Sequence, residues 1–246
     1  MSLHVHLVPS LAGVDVGTAV TVEGAEAHHA VAVRRLTVGE PVLLTDGLGS
    51  TAECEVVETG KQRLVAEVVS IASVPPPSPE LVVVQALPKG DRGELAVELL
   101  TEIGVARIVP WAAARSVAVW RGERATKSLA RWRITAREAA KQARRSWFPE
   151  VSELASTADV VSLLGSAQLA VVLHEEATSS LAGVSVPTAG AVVLVVGPEG
   201  GLAPEELTAF GDAGAQAVRL GPEVLRTSTA GVAAVSALLS RTGRWA

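Results

Sequence analysis

The 246-residue chain has one cysteine, Cys54, and no tyrosine. A lone thiol builds no disulfide framework and no multi-cysteine zinc site, which fits a reducing compartment. Aromatics make up only 3% of the residues, so Ala, Val and Leu must build the core. No apolar run approaches the ~20 residues that span a bilayer. The opening M-S-L-H-V-H-L-V-P-S-L lacks a basic stretch followed by a long apolar one, so no signal peptide is expected. These absences predict a soluble, cytoplasmic protein with no membrane attachment. Ligand motifs are missing too. There is no G-x-G-x-x-G, which argues against a dinucleotide Rossmann site, no G-x-x-x-x-G-K-[ST] for a P-loop, and no G-x-S-x-G elbow. None of the five histidines (His4, His6, His28, His29, His174) has H-E-x-x-H spacing, and no metal is expected.

What is present is 48% hydrophobic and 19% charged, the balance of a folded globular chain. Net charge is −5, but its distribution is uneven. Residues 115–145 hold ten Lys/Arg and two Glu, a local +8, which leaves −13 for the remainder. A basic stretch in an acidic protein marks a surface for a polyanion ahead of a merely solvated helix face. At 100° per residue, Leu129, Trp132, Ala136, Ala139, Ala140, Ala143 and Trp147 share one arc of this segment. Arg131, Arg133, Arg137, Lys141, Arg144 and Arg145 fall on the other side, with Arg suited to bidentate phosphate contacts.

Three β-rich runs broken by glycine turns occupy the first seventy residues, with Asp46-Gly47 as a hairpin signal. They predict a small β-barrel or sandwich. V-P-P-P-S-P-E, residues 74–80, carries four prolines and reads as a stiff linker. Beyond it, continuous apolar strands (81–87, 106–111, 167–174, 191–197, 216–221) alternate with helices (91–103, the basic helix, 204–210, 229–241), and Gly104 is a plausible helix stop. That alternation predicts an α/β layer on a parallel sheet.

Two stretches share the form strand, glycine, loop: V-V-G-P-E-G-G-L and R-L-G-P-E-V-L-R-T-S-T-A-G. In parallel sheets, ligands bind beyond the carboxyl ends of the strands, and glycines let backbone approach a ligand closely. Glu199 reads either as an acid at the entry of the Pro204 helix or as a carboxylate aimed at a ligand, and its glycine neighbours favour the second. Arg226 could hold a substrate or a structural ion pair. Thr227, Ser228 and Thr229 can cap the last helix, whose free N–H groups would also face a ligand. His174 lies at the same edge, as pocket lining or as a buried structural histidine.

Six segments in order resemble the bacterial 16S rRNA (uracil-N3)-methyltransferase family of the SPOUT superfamily. They are H-H-A-V-A-V-R-R-L-T-V-G-E (28–40), A-L-P-K-G-D-R (86–92), T-E-I-G-V (101–105), R-W-R-I-T-A-R-E-A-A-K-Q-A-R-R (131–145), G-P-E-G-G-L (197–202) and L-G-P-E-V-L-R-T-S-T-A (220–230). The resemblance implies a PUA-like RNA-binding β-barrel over 1–73, the linker 74–80, and over 81–246 a methyltransferase domain with a trefoil-knotted parallel sheet. It implies a homodimer that uses S-adenosylmethionine to methylate N3 of one uridine of 16S rRNA in the small ribosomal subunit. Carried onto this chain, cofactor contacts fall on Leu173, Val196, Gly197, Gly201, Leu220, Gly221, Leu225, Arg226 and Thr227. RNA contacts fall on Arg34, Arg35, Arg131, Arg137, Lys141, Arg144 and Arg145, and catalytic roles on Glu199 and Arg226. One departure stands out: Ser228 and Glu223 occupy positions where the family usually has Glu and Arg. A non-catalytic rRNA-binding or ribosome-assembly factor of the same fold is the alternative.

Overall fold

The structure, a computed structural model, describes residues 3–245. Met1, Ser2 and Ala246, which the expected domain ranges include, lie outside the described residues. Two units make up the chain: residues 1–76 with 141–148, and 77–140 with 149–246. The division at Pro76–Pro77 falls inside the proline-rich stretch. The transfer of 141–148 to the first unit departs from the sequence expectation, which kept everything after residue 80 together.

The first unit contains β1 (Val5–Leu7), β2 (Ala19–Glu23), α1 (Gly24–His28) continuing into a π-helical turn at His29–Val33, β3 (Pro41–Thr45), β4 (Ser50–Thr59) and β5 (Arg63–Ser73). Sheet order is β1-β3-β4-β5-β2, with β1 and β3 parallel and the other pairs antiparallel. Alternation in β4 sends Ala52, Cys54 and Val56 into the core and Glu53 and Glu55 outward. Register shifts at Glu53/Cys54 and Val56/Glu58 curl the sheet around that core, and β1 and β2 remain at its two edges. Asp46 shapes the β3–β4 hairpin, where its Oδ1 accepts the N–H groups of Leu48 (2.8 Å) and Ser50 (3.1 Å). Burial pushes the Cys54 thiol up to about 11, so it is an inert core residue.

Segment 141–148 lies along that hairpin. Phe148 N–H donates to Gly47 O (2.9 Å), Gly49 N–H to Ser146 O (2.9 Å), and the Trp147 indole N–H to Val74 O (2.9 Å). Gly49 has φ +105, and a Cβ there would lie 2.7 Å from the Trp147 ring, so only glycine fits. Trp147, expected on the packing arc of the basic helix, thus sits beyond the helix and against the hairpin. Lys141 also corrects the expectation. The helical wheel puts it on the exposed cationic row, yet it is 8% exposed, with Nζ 2.8 Å from Glu26 Oε1. A wheel takes no account of a carboxylate 115 residues away in sequence. Burial alone would raise the Glu26 pKa, but the His6 ring (Nδ1 3.5 Å from Oε2) and the Lys141 ammonium hold it at about 2.

The second unit contains β6 (Glu80–Ala86), α2 (Arg92–Glu102), β7 (Arg107–Trp111), α3 (Gly122–Gln142, its last two residues assigned to the first unit), β8 (Glu150–Val151), α4 (Thr157–Gly165), β9 (Leu169–Leu173), β10 (Ala191–Val196), α5 (Pro204–Asp212), β11 (Gln216–Val218) and α6 (Thr227–Leu239). Its sheet runs β11-β9-β10-β6-β7-β8 with every pairing parallel. The uninterrupted Val/Leu runs of β6 and β10 are buried on both faces. Leu81, Val83 and Leu194 join the core under α2 and α6, whereas Val82, Val84 and Val195 join Phe210 of α5 on the opposite face. Gly104 ends α2 as expected, at φ +100 with its N–H on Thr101 O. Leu129, Trp132, Ala136, Ala139 and Ala140 are the buried arc of α3. No helix among the described residues is long and apolar enough to cross a membrane. Because all six strands point the same way, the loops after β6, β7, β9, β10 and β11 gather along one edge of the sheet.

Candidate active site

The loop after β10 is closed from several sides. Gly201 N–H donates to Pro198 O (3.0 Å), and Gly201 sits at φ +71, where an L side chain is strained. A Cβ on Gly200 would stand 3.0 Å from the Arg115 carbonyl oxygen, so that loop approaches backbone to backbone. Glu199 is not the entry acid of α5: its Oε1 accepts the Lys89 N–H (3.2 Å) in the loop after β6. The entry acid is Glu206, which sequence reasoning missed. It is 4% exposed, accepts Ala203 N–H on Oε2 (2.9 Å) and Ala114 N–H on Oε1 (2.8 Å), and has Thr157 Oγ1 at 3.4 Å. One buried carboxylate thereby ties together the loops after β7 and β10. Its signal was present: an acid at the third position of a helix opened by Pro204 reaches back to the residue before it.

Thr227 joins the two glycine loops. Its hydroxyl donates to Gly197 O (2.8 Å) and accepts from the Nε2 of buried Gln85 (3.0 Å). The expectation that Thr227–Thr229 cap α6 is therefore corrected. The N-cap is Arg226, which makes no side-chain cap bond, and the Thr227 hydroxyl serves the β10 loop instead. Ser228 is buried, with Arg92 Nη1 at the 3.5 Å limit of a hydrogen bond to its hydroxyl. Arg226 is exposed, and among the described residues its guanidinium has no partner.

Of the residues expected to hold the cofactor, Gly197 and Thr227 are bonded to each other. Leu173, Val196 and Leu220 pack into one apolar cluster at the same edge. Gly201 lies one turn beyond Gly197. Gly221, Leu225 and Arg226 lie on the exposed stretch that leads into α6. Together they offer an apolar floor, free backbone polar groups and a helix N-terminus, a donor set suited to a flat, polar ligand with an anionic end. His174 is half-buried, donates its N–H to Val218 O (2.9 Å), and lines a separate recess of about 340 Å³ with Val172 and Phe210. Among the described residues there is no group of three His, Cys, Asp or Glu that could hold a metal.

Several of the expected RNA-contacting arginines have partners. Arg131 pairs with Glu94 (3.2 Å) and Arg137 with Glu138 (3.3 Å), while their neighbour Arg133 pairs with Glu153 (2.8 Å). The arginines of these pairs are solvent-exposed and each pair is worth under ~1 kcal/mol, so a phosphate can displace them. Arg34, Arg35 and Arg144 are exposed and Arg145 is half-buried.

A parallel sheet whose glycine loops and helix N-terminus converge at one edge defines an α/β ligand-binding domain, in a chain that also holds a curled β unit. A family model described as an RNA methyltransferase domain matches residues 75–239, and one described as an RNA methyltransferase PUA domain matches residues 22–69. The ribosomal RNA small subunit methyltransferase E of Mycobacterium bovis is 49% identical, over 94% of this chain and 90% of its own. A Legionella pneumophila methyltransferase solved with bound SAM superposes with a TM-score of 0.89 at 25% identity, covering 98% of this chain and 99% of that one. The ribosomal RNA small subunit methyltransferase E of Neisseria gonorrhoeae, bound to S-adenosyl methionine, gives 0.86 at 27% identity, over 97% and 98%. The chain belongs to the RNA methyltransferase family, with a SPOUT-type catalytic fold and a PUA domain.

Proposed function

We propose that this chain transfers a methyl group from S-adenosylmethionine to N3 of one uridine in 16S rRNA of the small ribosomal subunit. In this reading it acts in the cytoplasm as a homodimer, with a trefoil knot formed by the loops after β10 and β11. Residues 1–73 help to bind RNA and 81–246 carry the transfer. The observation that carries the reading is the join of Gly197 to Thr227, in a chain so similar along its length to small-subunit rRNA methyltransferases.

The bound cofactor would supply an already activated methyl group, so no metal is needed. Leu173, Val196 and Leu220 would cover its apolar face. Backbone groups of Gly197, Gly201, Gly221, Leu225 and Thr227 would hold its polar edges. Uracil N3 is a poor nucleophile until its proton leaves. Partnerless Arg226 would stabilise the charge that develops on O2 or O4. Glu199 keeps one carboxylate oxygen beyond its Lys89 bond to orient the base or accept the proton. Ser228 is buried beside Arg92 and takes no proton. Because N3 lies on the Watson–Crick edge, the uridine must be splayed out. Arg131 and Arg137 of the second unit, and separately Arg34, Arg35, Arg144 and Arg145 of the first, would bind phosphates of the RNA. Lys141 drops out of that set, since its charge is engaged with Glu26.

The test is methyl transfer from labelled S-adenosylmethionine to small subunits from cells lacking this protein, with the product nucleoside identified. Labelled 3-methyluridine in 16S rRNA is expected. Label in another nucleoside overturns the N3 assignment. No label despite cofactor binding overturns the substrate, and loss of both supports the non-catalytic binding factor.

A further inference from the structure

On the far side of the loop after β6 lies a recess of about 190 Å³ that no catalytic role uses. The loop 88–91 and the start of α2 form one wall, and residues 118–120 with α3 form the other. At its base Trp120 and Trp132 meet edge to face, ring centroids 5.0 Å apart at 80°. Trp132 is buried, while Trp120 is half-buried and lines the recess. Gly93 lets α2 come this close, because a Cβ there would stand 2.8 Å from Trp132 Nε1. Around the rim stand Asp91, Glu94, Ser128, Arg124 and Arg131. Arg131 and Glu94 neutralise each other at 3.2 Å. Arg124 is exposed and has no ion pair among the described residues, and Asp91 likewise has no side-chain partner.

Size and lining decide what fits. The volume is below the several hundred cubic ångströms of a typical cofactor pocket and suits one planar ring. An indole wall with a free guanidinium beside it is the combination by which proteins hold a single unstacked nucleotide: base against the aromatic ring, phosphate on the arginine. A free carboxylate at the rim favours a base that presents an amino group. Position supplies the second argument. The same loop donates Lys89 N–H to Glu199, and α2 reaches Ser228 through Arg92, so one short loop separates the recess from the transfer edge.

We propose that this recess captures a second, unstacked nucleotide of the RNA substrate, one flanking the target. Its base lies on Trp120 with an amino group directed to Asp91, and its phosphate binds Arg124. The proposal rests on the rRNA-methyltransferase reading and adds a specificity subsite to it. Stacking of this kind reads the surroundings of the target, which the cofactor site does not contact.

The experiment uses the full chain and small subunits from cells lacking it; it measures binding, with methyl transfer by the wild-type protein as the control. Zero-length ultraviolet crosslinking followed by peptide mass spectrometry is expected to place a nucleotide on Trp120, with an amino-bearing base. Arg124→Glu and Ser128→Phe, at an exposed and a half-buried position of the recess lining, are expected to weaken subunit binding about tenfold, with S-adenosylmethionine affinity unchanged. Arg124→Glu should also lower the slope of log affinity against log salt by about one. No crosslink in the recess together with wild-type subunit affinity in both variants overturns the subsite. If the activity reading itself is wrong, the signature differs: wild-type protein transfers no methyl group to those subunits.

Discussion

Two loops of the parallel-sheet unit begin with the same three residues, Gly197-Pro198-Glu199 and Gly221-Pro222-Glu223, and are held in opposite ways. The first is anchored: Pro198 is buried, Glu199 is bonded to Lys89, Gly201 turns back on Pro198, and Gly197 O receives the Thr227 hydroxyl. At its end Glu206 holds Ala203. The second is exposed from 221 to 226, and among the described residues no hydrogen bond involves 221–225. Val224 is 74% exposed and Leu225 40%. The residues after the shared tripeptide decide the outcome. G-G-L-A-P-E-E closes a tight turn and enters a helix with a buried carboxylate. V-L-R-T leaves two large apolar residues in water, where they gain contacts only when something covers them. The pair therefore combines a preorganised wall with a segment of low local stability, the combination a closing ligand site requires.

The comparison can be broken at its anchor. Glu206→Ala strips the buried N–H of Ala203 and the part-buried N–H of Ala114 of their acceptor and is expected to cost about 1–3 kcal/mol in urea unfolding. An unchanged midpoint would show that the β10 loop is not held this way. Next comes the join: Thr227→Val keeps the shape but removes the hydroxyl donor from Gly197 O and one of the two acceptors of Gln85 Nε2, which keeps Ala86 O. A loss of about 1–2 kcal/mol is expected, with weaker S-adenosylmethionine binding in calorimetry. A pair of glycine substitutions sharpens the contrast further. Gly201→Ala faces no clash but must hold φ +71, a cost of about 1 kcal/mol. Gly221→Ala has no such φ and only Glu223 Oε2 at 3.6 Å, so its unfolding should stay within about 0.5 kcal/mol of wild type. Equal losses would erase the distinction. The smallest stability effect is expected from Val224→Ser, again within about 0.5 kcal/mol, while cofactor affinity falls severalfold. Unchanged affinity would remove Val224 from the closure.

Much of this architecture could be read before any coordinates. Unbroken Val/Leu runs announce strands buried on both faces, and the arc from Leu129 to Ala140 announces how α3 packs. Gly104 and Pro204 mark helix ends by backbone chemistry alone. The misreadings share a cause, since each depends on a partner distant in sequence. Lys141 lies on the polar side of a wheel yet meets Glu26, and Trp147 leaves the helix for Gly49. Thr227 looks like a cap and instead bonds Gly197 O. Short elements escaped for another reason: β8 has two residues, and α4 was overlooked although Ser156 and Asp159 form a capping box. Within the site, both glycine loops were visible in the sequence, but which was anchored and which was free was not. That distinction rests on the contacts of Glu206 and Lys89 with loops distant in sequence, which the helix-entry pattern around Pro204 and the A-L-P-K-G-D-R segment do not reveal.

Amide hydrogen exchange of the full chain with and without S-adenosylmethionine tests the contrast most directly. The amides of Gly201 and Ala203, which donate to Pro198 O and Glu206 Oε2, are expected to be protected in both states. Those of 221 and 223–226 should exchange freely without the cofactor and become protected on binding. Equal protection of the two loops without the cofactor, or no change at 221–226 when it binds, would contradict the account.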